Sequence, residues 1–416
     1  MPIAEAIRNA QRSGSWIRKM FEEGASLKKQ YGSDKVYDFS LGNPDIEPPE
    51  AFHRVLNRLA AEDPKGSHGY MSNPGFPEVR EALARKVSRE QGVSIDGSRI
   101  VMSVGAAGAL NTVLKAILNP NDEVIVSRPY FVEYGSYISN HGGKMVLVDS
   151  QRDFNLDPAA IAGALSTRTA AVLINSPHNP TGRVYPRQTI ASLAEVLEAH
   201  GKKTGRYPYL IADEPYREIV YGDTVVPPVL SAYGESIIVT SYSKSLSLPG
   251  ERIGYIALGP ELRDAVEVAG ALAYATRVLG YVNAPALMQR VVAELTDERV
   301  DVGIYERRRD AFKRVLDKAG IPYSEPQGAF YLFCQVPRSK KAESPQPGGP
   351  VASETAQGDD IAFVNHLKNH LILGVPGSGF GAPGFFRLAY CVDEGIINAS
   401  EDAFCRAVET WNGTGV

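Results

Sequence analysis

Cysteine is scarce in this sequence: Cys334, Cys391 and Cys405 are the three among 416 residues. An odd number at wide spacing argues against a disulfide framework and a thiolate metal site, and fits a reducing compartment. Long apolar runs are missing too. No window approaches the roughly 18 uninterrupted apolar residues of a membrane helix. The opening Met1-Pro-Ile-Ala-Glu-Ala-Ile-Arg8 has no apolar stretch of the signal-peptide kind. Charge of one sign is also lacking. Lys and Arg number 44 against 48 Asp and Glu, for a net −4, and no basic tract stands out. Nucleic acid is therefore not an indicated partner. The triplets Asn398-Ala-Ser and Asn412-Gly-Thr match glycosylation acceptors by chance if no secretory signal is present. The expectation is a soluble cytoplasmic protein with no metal, membrane or nucleic-acid partner.

Nucleotide-binding loops are absent as well. There is no Walker A sequence. Gly379-Phe-Gly381-Ala-Pro-Gly384 spells G-x-G-x-x-G, but an apolar strand pattern, Phe385–Tyr390, follows it and Pro383 interrupts it. A dinucleotide fingerprint needs strand, loop and helix in that order, so the match is rejected.

What is present is an alternation. Residues 3–30 have helical spacing, with Ile7, Trp16, Ile17, Met20, Phe21 and Leu27 apolar, and Val36–Leu41 reads as a short strand ending at Gly42-Asn-Pro-Asp45. Helices are predicted over Glu50–Ala61 and Pro77–Gln91. From Ile100 onward, apolar runs of strand type begin at Ile100, Glu123, Lys144, Ala170, Tyr209, Ile237 and Ile253, with amphipathic stretches between. Apolar runs without strict polar alternation are strands covered on both faces. The pattern predicts an α/β protein: a mainly parallel sheet flanked by helices. Residues 261–318 read as all helix, and strand character returns at Gly328-Ala-Phe-Tyr-Leu-Phe333. Residues 337–360 have the composition of a flexible surface insertion, followed by a helix at Asp359–His370 and two strands. The expected division is a large domain at 47–290 and a smaller α+β domain from 1–46 and 291–416. No internal repeat is visible.

In open parallel sheets, ligands sit beyond the carboxyl ends of the strands. Past the first run comes Gly105-Ala106-Ala107-Gly108 at a helix start, which suits a phosphate. Past the second comes Pro129-Tyr-Phe131-Val-Glu-Tyr134, an aromatic surface. Then follow Asn175-Ser-Pro-His-Asn179-Pro-Thr-Gly182, next Asp213-Glu214 with Tyr216, and last Ser241, Ser243 and Lys244. Singly, Asp213 could cap a helix, Phe131 could be core, and Asn179-Pro could be a plain turn. Their succession at five strand exits is the stronger signal. Lysine is seldom buried, because its ammonium resists desolvation. One placed at a strand exit can lose its proton and attack carbonyls to form a Schiff base. Near the C-terminus, Arg387 stands in the apolar strand Gly384-Phe-Phe-Arg-Leu-Ala-Tyr390, where a planar fork suits a carboxylate. A structural salt bridge is the alternative there.

With Ser-x-Ser-Lys244, Arg252 past the Pro249-Gly250 turn, Asp213-x-x-Tyr216, Asn179-Pro-x-Gly182 and Arg387, the chain resembles the class I/II aminotransferases. These are pyridoxal-phosphate (PLP) enzymes of fold type I, and the resemblance runs from about Asp38 to Ala407. It implies that PLP is the cofactor and that Lys244 forms the Schiff base and moves the proton. Asp213 would pair with the pyridine nitrogen, Tyr216 and Asn179 with the ring oxygen, and Phe131 would stack on the ring. Arg252, Ser241, Ser243 and the amides of Gly105, Ala106 and Ala107 would cup the phosphate. Arg387, with Gly42 as backbone helper, would hold the substrate carboxylate. A homodimer is implied, with Tyr70 donated to the partner's site. Two features depart from the family pattern: Ala106 and Ala107 stand where hydroxyls are frequent, and the 337–360 insertion is long. The expected activity is transfer of an amino group between an L-amino acid, aspartate by family frequency, and a 2-oxo acid. A PLP carbon–sulfur β-lyase or decarboxylase on the same scaffold is the alternative, and a ligand-sensing regulator domain a further one. The segment Asp213-Glu-Pro-Tyr-Arg-Glu-Ile219 favours transfer over β-elimination.

Overall fold

The computed structural model describes residues 3–5, 7–8, 16–337 and 359–413. In chain order, β1 is Tyr37–Asp38, β2 Ile100–Ser103, β3 Glu123–Arg128, β4 Lys144–Asp149, β5 Thr169–Asn175 and β6 Tyr209–Asp213. They are followed by β7 Ser236–Ser241, β8 Gly254–Leu258, β9 Tyr331–Gln335, β10 Ile372–Leu373, β11 Val375–Pro376 and β12 Phe385–Ala389. The seven predicted runs become β2 to β8 and form one sheet in the order β2-β8-β7-β6-β5-β3-β4. Pairing is parallel from β4 through β3, β5 and β6 to β7. β8 is antiparallel to both its neighbours.

Strand side chains alternate between faces with a period of two. Leu210 and Ala212 of β6 therefore enter the core beneath the helix Pro77–Gln91, while Ile211 enters the core beneath the helix Gly105–Ile117. Each fully buried Leu or Ile contributes roughly 1.5–3 kcal/mol, and helices cover both faces. That is why the runs lack polar alternation. The turn from β2 into Gly105–Ile117 needs left-handed backbone, φ +67° at Gly105, which glycine adopts without strain.

A smaller antiparallel sheet, β11-β12-β9, and the pair β1-β10 lie over a separate aromatic core. In that core the Phe39 and Phe312 rings stand 4.5 Å apart. Helices Val302–Ala319 and Glu401–Trp411 supply much of the remainder.

Several boundaries differ from the sequence reading. Only Tyr37–Asp38 of Val36–Leu41 pairs as a strand; beyond Phe39 the Ser40 carbonyl accepts from Arg387 instead of a ladder hydrogen bond. In Gly328–Phe333 the strand starts at Tyr331. Before it, Ala329 turns at φ +57° and donates to the Ile219 carbonyl. The all-helical 261–318 segment resolves into Ala265–Val278, Ala286–Glu294 and Val302–Ala319. The helix Trp16–Tyr31 occupies the second part of 3–30. Residues 6 and 9–15 of that segment and residues 338–358 of the predicted insertion lie outside the described residues. Among the described residues, no helix is long and apolar enough to cross a membrane.

Candidate active site

The carboxyl ends of β2, β3, β5, β6 and β7 open on a cavity of about 280 Å³. Ala106, Ala107, Phe131, Asn179, Asp213, Tyr216, Ser241, Ser243, Lys244 and Arg252 line it, and Gly42 and Arg387 close it from the smaller sheet's side. Gly105 sits one residue behind the lining, where a Cβ would come within 3.0 Å of the Arg252 guanidinium. Tyr70 is not in this group. It is 94% exposed and does not line the cavity of its own chain.

Asp213 ends β6 and is buried. Its Oδ2 accepts from the Tyr134 hydroxyl at 2.6 Å, while Oδ1 has no hydrogen-bond partner. Burial lifts the carboxyl to about 7, with the Tyr134 hydrogen bond opposing and Glu214 adding. Asn175 braces this strand end: its amide donates to the Asp213 carbonyl at 2.8 Å and its oxygen accepts from the Asn179 backbone at 2.7 Å.

Lys244 follows β7 in the short helix Tyr242–Ser245. Its Nζ donates to the Gly42 carbonyl at 2.8 Å. Burial lowers its pKa to about 8, the Cys391 thiol opposes this, and Arg387 and Arg252 lower it further. A lysine near 8 supplies free amine at neutral pH, as a nucleophile or base requires.

Arg387 projects from β12 and is fully buried. Its Nη1 donates to Asn179 Oδ1 at 3.0 Å and its Nη2 to the Ser40 carbonyl at 2.8 Å, while Nε has no partner. No carboxylate of the chain pairs with it among the described residues, so the structural salt bridge weighed from the sequence is not formed. A buried guanidinium without a counter-ion is costly, and an incoming carboxylate would relieve that. Its guanidinium lies 4.5 Å from the Tyr331 ring centre. Tyr331 and Tyr216 join hydroxyls at 2.8 Å. Gly42 has a steric role as well, since a Cβ there would overlap the Tyr331 hydroxyl.

The pattern described as "Aminotransferase class I and II" matches residues 34–399. The chain belongs to this family. The aspartate/prephenate aminotransferase of Thermus thermophilus is 31% identical to this aminotransferase, over 92% of this chain and 93% of its own length. The aspartate aminotransferase of Geobacillus stearothermophilus is also 31% identical, over 93% and 94%. Among solved structures, an aminotransferase from Eubacterium rectale superposes with a TM-score of 0.91 at 35% identity, covering 99% of this chain and 100% of that one. The Thermus thermophilus aspartate aminotransferase solved with maleate gives 0.82 at 27%, covering 98% and 100%.

Family membership makes this chain a PLP-dependent aminotransferase. The cavity's chemistry fits that cofactor. A buried acceptor without a partner, Asp213 Oδ1, suits a ring N–H. A helix start beside Arg252 suits a phosphate, and Lys244 suits a carbonyl.

Two neighbours of the site, Tyr137 and Tyr331, escape the sequence reading, and Tyr134, expected there only as part of an aromatic surface, proves to be the partner of Asp213. Tyr134 and Tyr137 carry a usable signal, since they follow Phe131 at intervals of three, close to one helical turn. Tyr331 sits in an apolar strand and resembles any core tyrosine.

Proposed function

We propose that this aminotransferase moves the amino group of an L-amino acid, aspartate first, to a 2-oxo acid, using the residues gathered around Lys244. Bound PLP supplies the electron sink for the carbanion at the substrate Cα. Lys244 Nζ would hold the cofactor's carbonyl carbon and would serve as the base for the Cα proton. Asp213 would keep a proton on the ring nitrogen, and Tyr216 and Asn179 would pair with the ring oxygen. Phe131 would pack on the ring. Ser241, Ser243, Arg252 and the amides of Gly105, Ala106 and Ala107 would hold the phosphate. Arg387 receives the substrate carboxylate, with Gly42 beside it. The observation that carries the reading is the pairing of a lowered Lys244 with an orphaned, buried Asp213 oxygen in one cavity. Aspartate is supported by the names of the relatives.

The proposal extends to assembly. A homodimer in which Tyr70 reaches the partner's site is supported by that ring's exposure, and by exposed Val266 and Tyr274 on the helix Ala265–Val278. The proposed division is 47–290 against 1–46 with 291–416. A cytoplasmic location is supported by three free cysteines, two of them buried.

The test is a half-reaction. PLP-loaded protein is mixed with single amino acids and no oxo acid, and its visible absorption and products are followed. Transfer is expected to release one equivalent of oxo acid per subunit and then stop, with aspartate among the reactive donors. Continued release of ammonia would mean elimination. In Lys244→Ala the cofactor is expected to remain non-covalent and turnover to fall at least 10²–10⁴-fold, roughly the worth of a general base. Wild-type turnover in that variant would overturn the assignment.

A further inference from the structure

Tyr331 has no role in the reading above, yet it is 2% exposed and lines the cavity. It touches three parts of the site: its hydroxyl meets Tyr216 at 2.8 Å, its ring carries the Arg387 guanidinium, and its hydroxyl occupies the space left by the missing Gly42 side chain. A phenol has one proton to donate and lone pairs to accept with. If Tyr216 spends its proton on the cofactor's ring oxygen, the 2.8 Å contact requires Tyr331 to be the donor and Tyr216 the acceptor.

We propose that Tyr331 is a positioning residue that donates its hydroxyl proton to Tyr216, thereby strengthening Tyr216 as a donor to the cofactor, while its ring seats Arg387 for the substrate carboxylate. The inference rests on the assignment of Tyr216 to the ring oxygen. Linked hydrogen bonds polarise one another, so a Tyr216 oxygen that accepts a bond releases its own proton more readily. Arg387 lies close enough to make the Tyr331 phenol a better donor, working against the burial that takes it to about 12. A guanidinium over an aromatic face is held without the desolvated partner charge that would compete with substrate.

The two roles separate by substitution. Tyr331→Phe keeps the ring and removes the hydroxyl, whereas Tyr331→Leu removes both. A donor to the ring oxygen stabilises its anionic form, so weakening it lets the cofactor hold its titrating proton to higher pH. The readout is the pH midpoint of the visible absorption of the PLP-loaded protein. In Tyr331→Phe this midpoint is expected to rise by about 0.3–1 unit, the range of one weakened hydrogen bond, with KM for the amino donor within about 2-fold of wild type. In Tyr331→Leu the midpoint rises similarly and KM climbs about 5-fold or more, the worth of a lost cation–π contact. In a Tyr216→Phe background the midpoint is already raised, and Tyr331→Phe adds nothing, the signature of coupled residues. A wild-type midpoint in Tyr331→Phe and Tyr331→Leu, or an undiminished shift in the Tyr216→Phe background, overturns the proposal and leaves the assignment of the site standing. Wild-type protein that shows no visible band with added PLP overturns both.

Discussion

Asp213 and Glu214 are consecutive, both buried, and both lifted to about 7 by burial. They face opposite sides of the sheet, because the alternation of β6 continues one residue past its end and sends Asp213 toward Tyr134 and Glu214 toward Gln91 and Arg217. Each leaves one carboxylate oxygen without a hydrogen-bond partner. What separates them is the surroundings. Glu214 receives the Arg217 guanidinium at 3.0 Å, inside a network in which Lys86 bridges Glu90 and Glu218 at 2.8 and 3.0 Å. The void beside it is about 20 Å³, room for one water. Asp213 has a phenol, no cation, and a cavity of about 280 Å³, close to the volume of small-ligand pockets. A raised carboxyl alone therefore does not mark a functional acid. The size of the space its free oxygen faces, and whether the chain has already supplied a cation, make the distinction.

The sharpest way to break that distinction is to neutralise each acid in turn. Asp213→Asn is expected to cut kcat about 10²–10³-fold, the worth of one preorganised electrostatic partner, with the fold intact by circular dichroism. Glu214→Gln should stay within about 3-fold of wild type. Equal losses would erase the difference between the two faces.

The next largest effect belongs to the closed network. Arg217→Ala leaves Glu214 buried without its cation, and breaking a buried pair in this way costs about 3–5 kcal/mol. Denaturant unfolding should register that loss, while turnover per folded molecule stays near wild type. A turnover loss matching Asp213→Asn would place the network inside the catalytic machinery.

Much of this contrast was readable in the sequence. Seven apolar runs supplied the strands of the main sheet because both of its faces are buried, and the polar residues at five exits pointed to one cavity because parallel strands end at the same edge. Position brings Asp213 and Glu214 forward together and only the family resemblance selects Asp213, because the partners of Glu214, Gln91 and Arg217, come from a helix and a loop whose packing no local pattern reveals. Tyr331 was hidden for a similar reason. Its strand reads as core, and only the approach of β9 to Gly42 and Tyr216 gives its hydroxyl a place in the site. Ser40 and Leu41 read as strand, but the Ser40 carbonyl is claimed by Arg387 from a distant part of the chain, and the Gly42 carbonyl, at the expected break, by Lys244.

The smallest predicted effect tests whether the two acids differ once the cofactor is bound. Both carboxyls have folded values of about 7 against ordinary values of 3.8 and 4.5, so the folded state holds their protons more tightly than the unfolded chain. Their contribution to stability is fully present below the ordinary values and is lost as pH rises toward 7 and above. In cofactor-free protein each should add up to about 1.4 kcal/mol per pH unit to the decline of stability between pH 5 and 7. A protonated ring nitrogen beside Asp213 would favour its carboxylate and remove its share of that slope, whereas Glu214 has no access to the cavity and should keep its own. Denaturant unfolding at pH 5, 6 and 7 is therefore expected to give a shallower slope with PLP than without. Asp213→Asn should abolish the difference between the two states, and Glu214→Gln should flatten both curves by the same amount. If the slope with PLP matches the slope without it in the wild-type protein, Asp213 does not meet the ring nitrogen, and the orphaned oxygen needs another partner.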